Sequence, residues 1–233
     1  MTVWQEIDST IRGALGDLRP VAVSFLDAAP AGVEPFQGTV PSGCSFWRLA
    51  AEGRAFYTVP GDHYNCPIGS YTHHIDLPES RSGELSQTLS LMEGLGYVRM
   101  EEVPGIPRLA KAPDVTVYAP LADAVIDPDV VIFAGRPSSL MRLQEAAVRA
   151  GAASTLPLLG RPTCMALPAS MAHGSVMSAG CIGNRVYTDL ADNELYLMVP
   201  GPRLSDVAAQ VQTVAQANDA LMQYHTDKRQ AMQ

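Results

Sequence analysis

The stretch Val130-Val-Ile-Phe-Ala-Gly-Arg-Pro-Ser-Ser-Leu140 runs from an unbroken apolar segment into a turn and then into the start of a helix. Four consecutive apolar residues followed by a Gly-Arg-Pro turn are typical of a buried strand, and the two serines are suited to cap a helix. We predict a strand over 130–133 and a helix over 140–150 that Gly151 ends. A strand followed by a helix is the alternation of an α/β protein.

The same two patterns recur along the rest of the chain. Short apolar runs predict further strands, and apolar residues three and four positions apart predict further helices. The other predicted strands are 20–26, 55–59, 115–118, 162–167 and 194–199, and the other predicted helices are 1–16, 45–51, 84–95 and 204–221. We therefore expect an α/β protein with mixed sheet(s) and flanking helices.

The order of these elements predicts an internal duplication over about residues 19–96 and 128–221. In each unit a strand, a helix and a second strand precede a loop in which a cysteine is followed closely by Ile-Gly, and a helix closes the unit. These loops are Cys66-Pro-Ile-Gly69 and Cys181-Ile-Gly183. If a pseudo-twofold axis relates the units, the two loops meet at the junction between them.

Composition bounds the size and setting of the protein. With 233 residues and 47% hydrophobic content, we expect one compact domain over about 1–200, the closing helix, and a frayed tail over 222–233. The net charge of -8 argues against a nucleic-acid surface, which needs a basic patch. The chain shows no signal-peptide pattern and no apolar run long enough to span a bilayer. We expect a cytoplasmic protein that binds neither nucleic acid nor membrane; its oligomeric state stays open.

Four cysteines stand in loop-like surroundings that are rich in chemically capable residues. Cys44, Cys66, Cys164 and Cys181 are flanked by glycine, proline, histidine and hydroxyl residues rather than by an apolar run. In a reducing compartment, cysteines in such surroundings favour metal binding or thiol chemistry over structural disulfides. The sequence therefore predicts a thiol-based site.

The spacing of these residues leaves three interpretations open. The four cysteines are 22, 98 and 17 residues apart and include no Cys-x-x-Cys pair, which argues against a zinc ribbon or finger but allows a site built from distant loops. The spacing His63-x-x-Cys66 suits two ligands of one ion, and it equally suits a nucleophile and its base. Alternatively, the four cysteines are unrelated core residues.

The chain resembles an uncharacterised bacterial and archaeal family, domain of unknown function number 169, over roughly residues 10 to 200. The matching segments keep the family's order, and they are Arg19-Pro-Val-Ala-Val-Ser-Phe25, Cys44-Ser-Phe-Trp-Arg-Leu-Ala50, Asp62-His-Tyr-Asn-Cys-Pro-Ile-Gly69, Tyr118-Ala-Pro-Leu121, Pro128-Asp-Val-Val-Ile132, Cys164, Cys181-Ile-Gly-Asn-Arg185 and Asp192-Asn-Glu-Leu195. The resemblance implies that all four cysteine positions, His63 and Arg185 belong to the family pattern. It implies no particular activity.

From these observations we expect a metalloprotein that holds an iron–sulfur cluster, or a copper or zinc ion, through Cys44, Cys66, Cys164 and Cys181. His63 is expected to be a fifth ligand or a proton donor, and Arg185 to hold an anionic small-molecule substrate. An open coordination position would make the protein a redox or Lewis-acid enzyme. The alternatives are a metal-free enzyme with Cys66 as nucleophile and His63 as base, and a non-catalytic protein that binds a small molecule without any cofactor.

Overall fold

The computed structural model describes residues 1–156 and 158–232. It confirms the expected α/β fold class. The helices within these residues are α1 (Val3–Leu15), α2 (Cys44–Ala51), α3 (Pro67–Thr72), α4 (Glu84–Gly94), α5 (Pro137–Arg149), α6 (Ala166–His173), α7 (Ile182–Thr188) and α8 (Leu204–Gln230). The strands are β1 (Arg19–Leu26), β2 (Phe56–Thr58), β3 (Val115–Pro120), β4 (Val130–Gly135), β5 (Val176–Ser178) and β6 (Leu195–Pro200).

The six strands form one sheet in the order β2-β3-β1-β4-β6-β5. Every pair of neighbouring strands is antiparallel, and isolated parallel bridges add to the two outer strands, where Pro35 pairs with Tyr57 and Leu159 with Ser178. The central pair is β1 and β4, with Val21 opposite Ile132. Reading outwards from this pair, the first half of the chain contributes β1, β3 and β2, and the second half contributes β4, β6 and β5. The sheet therefore has the strand order of a pseudo-twofold duplication.

The symmetric arrangement of elements differs in detail from the predicted duplication. Residues 162–167 were predicted as a strand but form a short 3₁₀ turn, Thr163–Met165, and the start of α6. A short apolar run does not by itself distinguish a buried strand from a buried helix, and Pro168 lies in the first helical turn, where proline is tolerated. The second outer strand is instead β5, and α6 takes the place that α2 has before β2.

Helices cover both faces of the sheet and enclose two apolar cores. On one face α1, α5 and α8 pack together against residues such as Val131, Phe133 and Leu197. On the other face α2 and α6 cover Val23, Ile132 and Met198. Alternate residues of one strand face opposite cores, as the period of two in a strand requires.

Several boundaries differ from their predictions. Helix α5 begins at Pro137, so the two serines lie inside its first turn rather than before it; proline is favourable at the first helical position. Helix α8 continues past Leu221 to Gln230, so most of the predicted frayed tail is helical. No helix in the described part of the chain is long and apolar enough to cross a membrane.

Candidate functional site: a four-cysteine cluster

The four cysteines lie on the α2/α6 face of the sheet, each at or just before the start of a helix. Cys44 is the first residue of α2, and Cys164 lies in the 3₁₀ turn that leads into α6. Cys66 is the N-cap of α3, and Cys181 is the N-cap of α7. Cys44 and Cys164 are buried, each with 6% of its surface exposed, whereas Cys66 and Cys181 are partly exposed. The two halves of the chain thus each provide one buried and one partly exposed thiol.

The four thiols are close enough to affect one another's ionisation. Burial raises the pKa of Cys44 strongly, and the charges that Cys164, Cys66 and Cys181 would carry as thiolates raise it further. Burial also raises the pKa values of Cys164 and Cys66, and Cys181 adds to both shifts. We refer to Cys44, Cys66, Cys164 and Cys181 as the thiol cluster. Its formation fits the predicted meeting of the two Cys-Ile-Gly loops at the junction of the halves.

The thiols are neighbours but do not converge on one point. Among residues 1–156 and 158–232, no three His, Cys, Asp or Glu side chains form a group that could hold a single metal ion. All four cysteines are free thiols. Burial therefore favours the protonated, neutral form of Cys44, Cys66 and Cys164, because a thiolate is poorly solvated in these positions.

Backbone amides and a glycine position the thiol of Cys66. Its Sγ accepts a hydrogen bond from the N–H of Gly69 at 3.3 Å, and the N–H of Gly43 also lowers the pKa of this thiol against the larger effect of burial. A Cβ on Gly69 would lie 2.9 Å from that sulfur, closer than side chains normally approach. The Ile-Gly that follows Cys66 therefore leaves room for the thiol.

Contacts within the second half and between the halves join three of the cysteine loops. The N–H of Cys181 donates to Oγ1 of Thr163, the residue before Cys164, at 2.5 Å. The thiol of Cys164 lies 4.0 Å from the carbonyl oxygen of Ile68, which follows Cys66 in α3. These contacts fix three of the four cysteine loops relative to one another.

Several buried polar groups around the thiol cluster have no hydrogen-bond partner. They include the hydroxyl of Tyr118, both amide atoms of Asn184, and the hydroxyls of Ser42 and Ser45, which flank the Gly43-Cys44 pair. Tyr118 lies among the thiols, because charges on Cys44, Cys164 and Cys66 add to the effect of burial in raising its pKa. Asn184 lies near enough to Cys44 to lower the pKa of that buried thiol, yet its amide makes no hydrogen bond of normal length. Native proteins rarely leave such groups unpaired.

His63 is buried and neutral. Its Nε2 lies 2.9 Å from Oγ1 of Thr58, its Nδ1 has no partner, and its ring packs 5.0 Å from that of Phe46. Burial, with a smaller effect from His73, lowers the pKa of His63 to about 3. The backbone N–H of Cys66 donates a hydrogen bond to the carbonyl oxygen of His63 at 3.0 Å. The imidazole of His63 lies beside Gly43, the residue that precedes Cys44. A Cβ on Gly43 would be 3.6 Å from Nδ1 of this ring.

The Arg185 side chain binds the backbone of its own loop. Its guanidinium donates to the carbonyl oxygens of Ala179, Ala191 and Glu194, the last at 3.1 Å. These contacts clamp the segment that runs from β5 through Cys181 and α7 to β6. In this arrangement Arg185 holds the loop that carries Cys181, while the predicted anionic substrate would have to compete with backbone acceptors.

Two residues of the site were not singled out from the sequence. Tyr118 lies in an apolar run that forms β3, where a tyrosine is ordinary core, and Asn184 looks like part of a tight turn. Both belong to segments that carry the family resemblance, Tyr118-Ala-Pro-Leu121 and Cys181-Ile-Gly-Asn-Arg185. Their position in these segments was the one feature of the sequence that could have identified them.

Comparisons with known proteins cover most of the chain. The model of a family described as DUF169, Uncharacterised ArCR, matches residues 16–210, a range that includes all four cysteines. An uncharacterised protein of Methanocaldococcus jannaschii is 25% identical over 180 residues, which cover 72% of this chain and 75% of that protein. No solved structure matches the chain.

Proposed function

The chain belongs to the DUF169 family, and on that premise we propose that its thiol cluster binds an iron–sulfur cluster, with a single soft metal ion such as copper or zinc as the other occupant. Cys44, Cys66, Cys164 and Cys181 are the proposed ligands. Bound in this way, an iron–sulfur cluster supplies electron transfer, or Lewis-acid chemistry if one iron is open to substrate. We place this chemistry in the cytoplasm, where free thiols persist.

The observation that carries the proposal is the pairing of buried thiols with buried donors that lack acceptors. A buried thiolate is costly unless a cation compensates its charge, and a metal centre provides that cation. Once the thiols are deprotonated, their sulfurs become acceptors for the hydroxyl of Tyr118 and the amide N–H of Asn184, which are otherwise unpaired. Hydrogen bonds of this kind commonly surround metal-bound thiolates and tune the potential of iron–sulfur clusters.

The supporting residues have defined roles in this proposal. Gly69 and Gly43 keep the Cys66 sulfur in contact with backbone N–H groups, and Thr163 ties Cys181 to the Cys164 turn. His63 is unsuited to donate a proton at neutral pH, because its pKa is about 3. Its unpaired Nδ1 leaves it available as an additional neutral ligand or hydrogen-bond partner.

The metal-free alternative, with Cys66 as nucleophile and His63 as base, has less support. A thiolate–imidazolium pair requires a lowered cysteine pKa and a raised histidine pKa. Burial shifts both groups in the opposite directions, raising the pKa of Cys66 and lowering that of His63. No such pair is therefore set up between these two side chains.

The first experiment is elemental analysis and an absorption spectrum of protein purified without oxygen. We expect iron, acid-labile sulfide and a charge-transfer band at about 400 nm. Cys181→Ser should lose the iron, and Ile182→Ala, which changes the adjacent exposed residue at the same helix start, should retain it. If the analysis instead finds stoichiometric zinc or copper, the occupant is a single metal ion rather than an iron–sulfur cluster. Protein that is metal-free and resists reconstitution would refute the proposal.

A further inference from the structure

A cavity of about 230 Å³ lies on the same face of the sheet as the thiol cluster, where the two halves meet. Its floor is formed by apolar residues of the central strands β1 and β4, including Val21 and Ile132. Trp47 of α2 and Tyr196 of β6 form an aromatic wall, with ring centroids 5.7 Å apart in an edge-to-face arrangement. The volume is below that of pockets for drug-sized molecules, so it fits a ligand of about ten non-hydrogen atoms.

Trp47, which lines this cavity, carries a buried donor without a partner. Trp47 is 3% exposed, and its indole N–H makes no hydrogen bond within the protein. The hydroxyl of its neighbour Tyr196 is already engaged, 3.0 Å from Oγ1 of Thr188. Because an unpaired buried N–H is costly, an acceptor from a ligand in the cavity would restore a lost hydrogen bond.

Two guanidinium groups line the cavity together with the three carboxylates that pair with them. Arg19 pairs with Glu194 at 2.9 Å, and Arg48 pairs with both Glu52 and Asp189. Arg48 and both of its partners are exposed, so these two ion pairs contribute little to stability, whereas the Glu194 carboxylate that pairs with Arg19 is only 13% exposed. A ligand carboxylate can therefore replace Glu52 or Asp189 on Arg48 at small cost, with the bidentate geometry that guanidinium favours.

From these features we infer that the cavity binds a small carboxylate with a flat apolar body, of the size of an aromatic acid. The body lies on the strand floor beside Trp47 and Tyr196, and the carboxylate accepts from the indole N–H and from arginine. Trp47 and Arg48 follow Cys44 by one turn of α2, so the ligand lies about a helical turn from the thiol cluster. The inference stands on the cavity and does not depend on what the thiols bind.

Nitrogen-edited NMR of the indole N–H groups tests this inference directly, with benzoate as the probe. The chain has two tryptophans, and Trp4 lies in the core on the opposite face of the sheet, where it serves as an internal reference. Benzoate should shift the Trp47 indole signal saturably, with a Kd of about 1 mM or tighter, and leave the Trp4 signal in place. Benzylamine and benzyl alcohol, which share the ring but lack the carboxylate, should bind at least tenfold more weakly.

Substitutions at the arginines test the recognition of the carboxylate. Arg48→Gln, or Arg19→Gln if Arg19 is the main contact, should weaken benzoate binding at least tenfold. Arg142→Gln is the matched control, because Arg142 pairs with Asp219 at 3.0 Å between α5 and α8 on the other face, and it should leave binding unchanged. An unmoved Trp47 signal, equal binding of the three probes, or full affinity in both arginine variants would overturn the inference.

Discussion

Cys66 and Cys181 occupy equivalent positions in the two halves of the fold. Each is the N-cap of a short helix, and each helix follows the outermost strand of its half of the sheet, β2 for Cys66 and β5 for Cys181. The other two cysteines repeat this relationship, because Cys44 begins α2 and Cys164 lies just before α6, the helices that precede those outer strands. The thiol cluster is therefore built from two copies of one two-cysteine arrangement.

This equivalence predicts that the cysteines act in pairs. Cys44→Ser and Cys164→Ser should weaken metal binding to a similar extent, as should Cys66→Ser and Cys181→Ser. Each should cost more than the 10–100-fold that loss of an outer-shell partner costs, because a ligand itself is lost. Competition with a chelator measures the change. One essential cysteine beside three dispensable ones would instead indicate a nucleophile.

Tyr118→Phe should have opposite effects on the empty and the metal-loaded protein. Removing a buried hydroxyl that has no partner should stabilise the empty form or leave it unchanged, within about 1 kcal/mol. In the loaded form the same change removes a hydrogen bond to sulfur, so metal affinity should fall by about tenfold. Thermal unfolding with and without metal separates the two effects. Equal destabilisation of both forms would show that Tyr118 acts only in packing.

The buried neutral state of His63 predicts a stability loss in acid. Its pKa falls from about 6.5 in the unfolded chain to about 3 in the folded protein, so the unfolded state binds the additional proton between these values. Its stabilising contribution should be complete above pH 6.5 and decline as the pH falls toward 3. Urea unfolding of metal-free protein at several pH values measures this slope. His63→Gln should have a shallower slope, and an identical one would exclude His63 as its source.

Arg185→Gln should loosen the loop that carries Cys181. The substitution removes donors to the carbonyl oxygens of Ala179, Ala191 and Glu194, and we expect a loss of about 2 kcal/mol in the free energy of unfolding. Amide hydrogen exchange should rise between β5 and β6 and stay unchanged in α1. Arg99→Gln, which removes an exposed arginine that pairs, among the described residues, only with the side chains of Glu101 and Glu102, is the matched control. A stable variant with unchanged exchange would show that the clamp is unimportant.

Gly201→Ala should be among the most destabilising single substitutions in the protein. Gly201 follows directly after β6, and a Cβ at this position would overlap the carbonyl oxygen of Pro128 just before β4. Relief of that overlap requires backbone movement, which we expect to cost about 3 kcal/mol or more. Gly13→Ala is the control: it lies within α1 with open space around it, and should stabilise the helix by up to about 1 kcal/mol. Denaturant unfolding of both variants tests the contrast.

The sequence predicted the parts of this fold that carry a clear period or a clear end. Helix α1 has apolar residues on one stripe and ends at Gly16, and β4 is an unbroken apolar run, so both were located correctly. The segment around Cys164 has neither signal, because a short apolar run suits a buried helix as well as a strand. Strand β5 is too short, at three residues, to show alternation.

The candidate site was predictable only in part for a related reason. The thiols stood out because their neighbours are turn and hydroxyl residues, and the repeat indicated that the two Cys-Ile-Gly loops meet. Tyr118 and Asn184 gave no such signal, because an unpaired buried polar atom is defined by what surrounds it in three dimensions. The neutral state of His63 likewise depends on its burial beside Phe46, which spacing along the chain does not reveal.

The antiparallel β1–β4 pair at the centre of the sheet also bears on ancestry. A chain of half this length would have three strands with β1 at an open edge, and it could complete the sheet only by pairing with an identical copy. Such a homodimer would bring two cysteines from each subunit to its symmetry axis. In a single chain the two halves can differ: α4 lies only in the first half and α5 only in the second, whereas a homodimer would carry every such element twice.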